Sequence, residues 1–251
     1  MPKISAVILS KNEADRIGRC ITSLINIVDE VMVVDSGSRD DTIKIAKSIG
    51  AKVISTEWKG FGETKNFGHH QAKNDWILSL DSDEWLSEEL ANEIMALKKT
   101  EKQVYSIDRS NRYMGKEIRY SGWSPDWVPR LFNRNEVKWN NSLVHEKLII
   151  PKNYAVHRMS GKLMHDSYRS MEDHKAKTVR YAMLKAQSWI EVGKSPSFLK
   201  RYFGSSFKAF HSYVIKAGFL DGKEGMIIAK MNAYLVKMQV EYYDELKSQK
   251  L

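Results

Sequence analysis

Cysteine is almost missing from this 251-residue chain, which has Cys20 as its single thiol. That excludes an intramolecular disulfide framework and fits a reducing compartment. Cys20 lies among Ile17, Ile21, Leu24 and Ile25 at helical spacing, the setting of a buried structural thiol rather than a nucleophile. Long apolar runs are lacking too, so no transmembrane helix is predicted. The start, Met1 to Ser10, has too short an apolar core for a signal peptide and no small-residue cleavage site. A cytoplasmic protein is expected. Internal repeats, low-complexity segments and recognised nucleic-acid-binding motifs are also absent. The first 150 residues lack any net charge, with 22 Lys and Arg against 22 Asp and Glu. Residues 151–251 hold 18 basic and 9 acidic residues, so they carry the whole +9. An asymmetry of this kind points to an anionic partner for the C-terminal part: lipid, a phosphorylated substrate or nucleic acid.

What is present describes a globular protein, with 42% hydrophobic and 10% aromatic residues. The length suits one sizeable domain, or one domain with an appended helical part. Its most informative stretch runs from Asp75 to Trp85, where Ile77, Leu78 and Leu80 give way to Asp81, Asp83 and Glu84. This reads as a buried strand delivering carboxylates to its C-terminal end, where open α/β sheets bind ligands. Carboxylates spaced i, i+2 repel each other, and a divalent metal carrying a diphosphate would relieve that repulsion. The competing reading is an acidic loop capping the next helix, with Ser82 or Asp83 as N-cap.

The alternation around this stretch predicts strands at 4–9, 30–35 and 51–55. Helices are expected from beyond Asp15 to about 27 and at 42–49, and the glycine-rich loop 59–68 opens a third before the acidic strand. Ser38 and Asp41 stand in capping-box spacing before the second helix, and Gly50 closes it. Such β-α repeats give a parallel sheet with right-handed crossovers. Three strand ends then meet at one sheet edge: Lys11-Asn12-Glu13, Asp35-Ser36 and Asp81-Ser82-Asp83. Residues 101–153 change to short segments at 103–108, 117–120 and 144–150. Trp123, Trp127 and Trp139 interleave there with Pro125, Pro129 and Arg130, as in a mixed, partly antiparallel half. Each tryptophan suits core packing better than sugar stacking. A last segment, 162–166, contains His165.

Beyond it the chain reads as helical. Ser170 and Asp173 start a helix to about Val192 with the stripe Ala176, Val179, Met183, Ala186 and Ile190. Another starts at Ser195-Pro196, with Leu199, Phe203, Phe207, Phe210 and Val214 on one side and Lys200, Arg201, Lys208 and Lys216 flanking it. Gly218–Gly225 breaks the pattern before a final helix from Met226 to about Lys247.

These motifs in this order resemble a family 2 glycosyltransferase. They are the Lys-Asn-Glu after the first strand, Asp35 to Thr42, Gly60 to Asn66, and Asp81-Ser82-Asp83-Glu84. The later segments Pro125 to Phe132, Val144-His145-Glu146, His165 to Tyr168 and Gly218 to Gly222 are similar to bacterial β-1,4-glucosyltransferases of the lipopolysaccharide core. The resemblance implies an α/β GT-A fold, a mostly parallel central sheet flanked by helices with a helical C-terminal extension. Residues 1–168 would form the catalytic domain and 169–251 a basic helical region facing acceptor or membrane. It implies a nucleotide-sugar donor, a UDP-sugar, held by Asn12, Glu13, Asp35, Lys65 and Asp81, with Arg130 on a phosphate. Mn²⁺ or Mg²⁺ would be bound by Asp83, with His165 as a second ligand or else a surface histidine beside Asp166. Glu146 matches the general base, with Asp126 as runner-up, orienting the acceptor. A salt bridge between Asp126 and Arg130 is the plain structural alternative for that pair.

The implied reaction is transfer of glucose from UDP-glucose to an inner-core heptose, with inversion. It would take place at the cytoplasmic face of the inner membrane. A capsule sugar or another lipid-linked, anionic glycolipid acceptor would need the same donor chemistry. Two further classes remain to be weighed. The pI of about 9.4 would suit a nucleic-acid-binding module, but acidic strand ends repel phosphate, so nucleic acid is not the expected partner. A sugar nucleotidyltransferase would carry a glycine- and arginine-rich loop where Ser10-Lys11-Asn12-Glu13 stands. The basic, aromatic stretch 195–237 is expected to dock on an anionic membrane or on a phosphorylated lipid acceptor.

Overall fold

The computed structural model describes residues 3–97, 102–140 and 146–249. The chain divides into two units, Met1–Ser110 with Asp126–His165 and Asn111–Pro125 with Asp166–Leu251. In chain order, the first elements are β1 (Ile4–Ser10), α1 (Ile17–Thr22), β2 (Glu30–Asp35), α2 (Thr42–Ser48), β3 (Lys52–Ser55), α3 (Phe61–Gln71) and β4 (Trp76–Asp81). Then come β5 (Glu84–Leu86), α4 (Glu88–Ala96), β6 (Gln103–Tyr113), β7 (Lys116–Glu117), β8 (Trp127–Asn133), β9 (Lys138–Trp139), β10 (Leu148–Ile149) and β11 (Ala155–Tyr168). Three helices follow: α5 (Met171–Glu191), α6 (Phe198–Phe210) and α7 (Lys223–Ser248).

The sheet runs β3-β2-β1-β4-β8-β6-β11-β5, with β7 beside β6. β1 lies parallel to β2 and β4, and β2 parallel to β3. From β4 onward the pairings are antiparallel: β4 with β8, β8 with β6, and β11 with β5. Alternating residues of the central strands enter two cores. Ile4, Ala6 and Ile8 join Ile17, Ile21, Leu24, Leu78 and Leu80 in one, while Val7 and Leu9 join Met32, Val34, Ile77 and Phe132 in the other. A strand buried on both faces reads as a continuous apolar run, which is why the parallel half was legible. β8 passes through Pro129, and its register with β6 shifts between Tyr105 and Ser106. Proline in a sheet needs such an irregularity because it has no N–H to give the ladder.

Several expectations are corrected locally. α1 ends at Thr22 and gives way to successive turns up to Val28 instead of continuing to residue 27. α2 has no side-chain cap; Ser38 turns back to Asp35 instead. Its other end is as expected, with Gly50 at φ 99° and the Gly50 and Ala51 N–H groups donating to the Lys47 and Ala46 carbonyls. The acidic run does not cap a helix. Glu84 enters β5, and α4 is capped by Ser87, whose Oγ accepts from Leu90 N.

In the second unit, Tyr113, Ile118 and Ile228 are buried with Trp123, Tyr168 and Met171 against them. Ser170 caps α5 through Asp173 N, as its spacing implied. The buried stripe of α5 is His174, Thr178, Ala182 and Ala186, however, and Met183 is exposed. α6 starts at Phe198, two residues beyond the expected proline, because Ser197 supplies the cap to Lys200 N. A π turn (His211–Ile215) and a 3-10 turn (Gly218–Asp221) lead into α7. Asp221 is buried in that turn and accepts from Arg119 N, Tyr120 N and Ser121 Oγ, which fixes the 119–121 segment.

Candidate active site

The parallel register aligns Ser10 with Asp35 and Leu9 with Asp81, so β1, β2 and β4 end together. Asp35 is buried, and its own loop holds it: Oδ1 accepts from Gly37 N and Ser38 N, and Oδ2 from Ser38 Oγ. Asn12 ties the first loop to the second, because Arg39 N donates to its Oδ1 and its own N donates to Ser38 Oγ. Glu13 N donates to Thr42 Oγ1. The Asn12, Glu13 and Asp35 loops thus form one hydrogen-bonded rim beside β4.

At the end of β4 the charges alternate along a chain of seven residues. Glu146 Oε1 lies 3.2 Å from Lys65 Nζ, and Lys65 Nζ lies 3.1 Å from Asp81 Oδ1. Asp81 Oδ2 is 2.9 Å from Arg130 Nη2, which is 2.5 Å from Glu84 Oε1. The same Glu84 oxygen is 3.2 Å from Arg109 Nη1, and Arg109 Nη2 is 2.8 Å from Asp126 Oδ2. Glu84 and Arg130 are buried, and Lys65 is only 3% exposed with its ammonium 4.6 Å from the centre of the Trp139 ring. Desolvation works against the charge of Asp81, but Lys65, Arg130 and Arg109 hold its carboxyl well below the usual range. Desolvation likewise opposes charge on Arg130, and Glu84 and Asp81 reverse it, raising the guanidinium above its ordinary value.

Much of the repulsion between carboxylates at this edge is therefore relieved by the protein's own cations. Arg130 pairs with Asp81 and Glu84 instead of Asp126, whose partner is Arg109. Arg109 and Glu84 carry this arrangement, yet neither was singled out for the site by sequence. Glu84 was visible as a third carboxylate. Nothing in its spacing indicated burial between two arginines, and Arg109 stands in no motif.

Asp83 sits beside this chain. Its Oδ2 is 3.5 Å from His165 Nε2 and 3.4 Å from Arg16 Nη1. β11 brings His165 there by pairing it with Glu84 in β5. Desolvation raises the Asp83 carboxyl and nearby Asp81 adds to that, but the His165 hydrogen bond and charge, with Arg16, bring it below its ordinary value. Among the described residues, no group of three or more His, Cys, Asp or Glu could hold a metal ion alone. An oxygen donor facing an imidazole nitrogen at 3.5 Å does fit a divalent cation that takes its remaining ligands from a diphosphate. Cys20, by contrast, is a buried thiol pushed up by desolvation and by the acids around it, consistent with a structural role.

The segment carrying Glu146 is seated on α3. Asn66 brackets the Trp139 backbone, its Nδ2 donating to Trp139 O at 2.9 Å and its Oδ1 accepting from Trp139 N at 3.0 Å. Gly62 permits this approach, since a Cβ there would fall 1.9 Å from Asn140 O. Asn140 N then donates to Lys147 O, next to Glu146. Val144 and His145 of the expected 144–150 segment lie outside the described residues.

The structure thus brings Glu146, Lys65, Asp81, Arg130 and Asp126 into one connected group, with Asp83 and His165 alongside. The model of glycosyl transferase family 2 matches residues 5–158. A Rickettsia bellii protein named as a glycosyltransferase is 33% identical, the match covering 98% of this chain and 88% of that one. Lipopolysaccharide core biosynthesis glycosyltransferase LpsC of Rhizobium meliloti is 28% identical, covering 93% of this chain and 92% of its own. Glucosyl-3-phosphoglycerate synthase of Mycobacterium tuberculosis, solved with Mn²⁺, UDP and glucosyl-3-phosphoglycerate, is 28% identical over 45% of each chain with a TM-score of 0.35.

Proposed function

The chain belongs to glycosyltransferase family 2 and has the GT-A fold, and from that premise we propose that it is a metal-dependent, inverting hexosyltransferase. The donor is a UDP-sugar, UDP-glucose by the motif resemblance. The acceptor is an inner-core heptose of lipopolysaccharide, reached at the cytoplasmic face of the inner membrane. The likeness to LpsC across nearly both whole chains supports that acceptor. The observation that carries the proposal is the chain of alternating charges running from Glu146 to Asp126 past Asp81, with Asp83 and His165 beside it.

The residues divide the work by their partners. Asp83 and His165 would hold a divalent cation, which neutralises a diphosphate leaving group when bound. Glu146 takes the proton from the acceptor hydroxyl as that oxygen bonds to the anomeric carbon and the UDP oxygen leaves from the opposite side. One displacement inverts the carbon. Lys65 fixes Glu146 through Oε1 and sets its orientation towards Asp81. Arg109 holds Asp126, which orients the acceptor. The rim built by Asn12, Glu13 and Asp35 receives the nucleoside.

A donor panel tests this reading. UDP-glucose should be hydrolysed slowly without acceptor, only with Mn²⁺ or Mg²⁺ present, and other nucleotide-sugars more slowly. Absence of hydrolysis across the panel with either metal would sink the proposed chemistry. Asp83→Asn should lose metal-dependent UDP binding while keeping the wild-type circular dichroism, because an amide is a weaker ligand. Near-normal turnover of that variant with Mn²⁺ would remove Asp83 from the metal site.

A further inference from the structure

α6 presents its apolar side outward. Phe198, Leu199, Tyr202, Phe203, Phe207 and Phe210 are 52–70% exposed, and no residue of the helix is buried. Small and polar groups are what α6 and its π turn turn towards α7. A Cβ on Gly204 would stand 3.0 Å from Val236 Cγ1, Asn232 Nδ2 donates to Ser212 Oγ at 3.1 Å, and Arg201 pairs with Asp244. The turn that follows adds Phe219 and Leu220, each at least half exposed. A contiguous apolar patch of this extent on a protein surface marks an interaction site.

Its margin is cationic. Lys200 lies 4.3 Å above the Trp189 ring, and Lys185 and Lys208 are close enough to add to the desolvation that lowers its pKa. Among the described residues, Lys200 and Lys208 have no carboxylate partner. Leu199, Phe203, Phe207 and Val236 line an open groove of about 470 Å³ together with Lys200 and Lys208. Two such lysine-bearing faces would repel each other, which disfavours a second copy of the chain as the occupant. An anionic surface of lipid satisfies both halves: the rings enter the boundary between headgroups and acyl chains, and the ammonium groups meet phosphate.

We infer that the outer face of α6 is a membrane-docking surface for anionic lipid, with Phe203 and Phe207 as its apolar anchors and Lys200 and Lys208 as its charge contacts. The use of this surface rests on the lipid-linked acceptor proposed above; the binding itself does not. Co-sedimentation of the full chain with phosphatidylcholine vesicles, with and without phosphatidylglycerol, tests it. Binding is expected only with phosphatidylglycerol, weakening as salt rises. Lys200→Gln with Lys208→Gln should weaken it roughly 30-fold, and Phe203→Ser with Phe207→Ser should abolish it. All four side chains lie outside the catalytic group, so metal-dependent UDP-sugar hydrolysis should be unchanged in both double variants. Loss of hydrolysis in the wild type would count against the enzyme reading alone and leave the vesicle result intact. Protein remaining in the supernatant at low salt would overturn the inference, as would equal binding to neutral vesicles. A concentration-dependent dimer in sedimentation velocity, broken by the Phe203 and Phe207 changes, would overturn it in favour of a second copy.

Discussion

The edge of the sheet and the outer face of α6 handle exposed chemistry in opposite ways. At the edge, four carboxylates and three cations are strung together from Glu146 to Asp126, each neutralising its neighbours. Along α6, aromatic rings face water and the lysines beside them lack acid partners among the described residues. One region satisfies its needs within the chain, while the other is left for something else to satisfy. Residue types alone gave a part of this, because the acids looked in need of a divalent cation while the aromatic, basic stretch at 195–237 already looked like a docking face. α4 underlines the point. It too has a serine cap, yet its Leu90 and Ile94 are buried, whereas the rings of α6 are not.

The largest effect is expected from breaking the alternation at its middle. Glu84→Gln keeps shape but strands Arg109 and Arg130 without the anion they share. Removing one partner of a buried pair costs about 3–5 kcal/mol, so the urea midpoint should fall sharply. A loss below about 1 kcal/mol would mean that Glu84 is not what holds the two arginines together.

At the end of the same chain, Glu146→Gln should leave UDP-sugar affinity nearly unchanged while transfer falls roughly 10²-fold or more, the usual reach of a general base. Equal losses in affinity and turnover would reassign Glu146 to binding. A larger turnover defect in Asp126→Asn would move the base role there.

A smaller effect probes the interior behind the exposed helices. His174 is stacked on Tyr168 with ring centroids 3.9 Å apart, and burial pushes its pKa down to about 4. The unfolded chain takes up a proton near pH 6.5, whereas the folded one resists until about 4. Stability should therefore decline as pH falls from about 6.5 to 4 and gain no further penalty from this group below that. His174→Gln should flatten the Tm-against-pH slope across that window. An unchanged slope would place the acid sensitivity elsewhere.

The smallest effect is the sharpest contrast with the sheet edge. Phe207→Ala should change folding stability by no more than about 0.5 kcal/mol, as expected of a side chain that is not core material. A buried phenylalanine would cost about 3–5 kcal/mol. A loss in that range, read from urea melts, would show that α6 turns its rings inward in solution.

These contrasts follow the line between what sequence reveals and what it hides. β1, β2 and β4 were legible because burial on both faces writes itself into consecutive residues, and their polar ends are equally local. Asp81 and Asp83 stand out for that reason, whereas Glu146 enters only through the motif resemblance. The pairing of Arg130 with Glu84 spans 46 positions and depends on how β8 passes beside β4, which no local pattern encodes. The stripe of α5 misled for a related reason. Ala176, Val179, Met183 and Ile190 have the hydrophobicity of a core face, but the buried line is His174, Thr178, Ala182 and Ala186. Hydropathy ranks side chains by their dislike of water and says little about where a neighbouring helix needs room. α6 is the contrasting case, since its aromatic stripe with flanking lysines reads as an outward face and the structure leaves those rings exposed.

The contact at Gly62 has one more consequence. Because that residue has no side chain, it works as a shim of zero thickness beneath the Asn140 backbone. A single methyl group there would have to lift that backbone by about 1 Å or more to reach ordinary contact distance. The lift would pass to Lys147, which is bonded to Asn140, and so to the neighbouring Glu146. The height of the carboxylate above the sheet is therefore set from below, by the absence of one carbon atom in a helix that contributes no part of Glu146 itself.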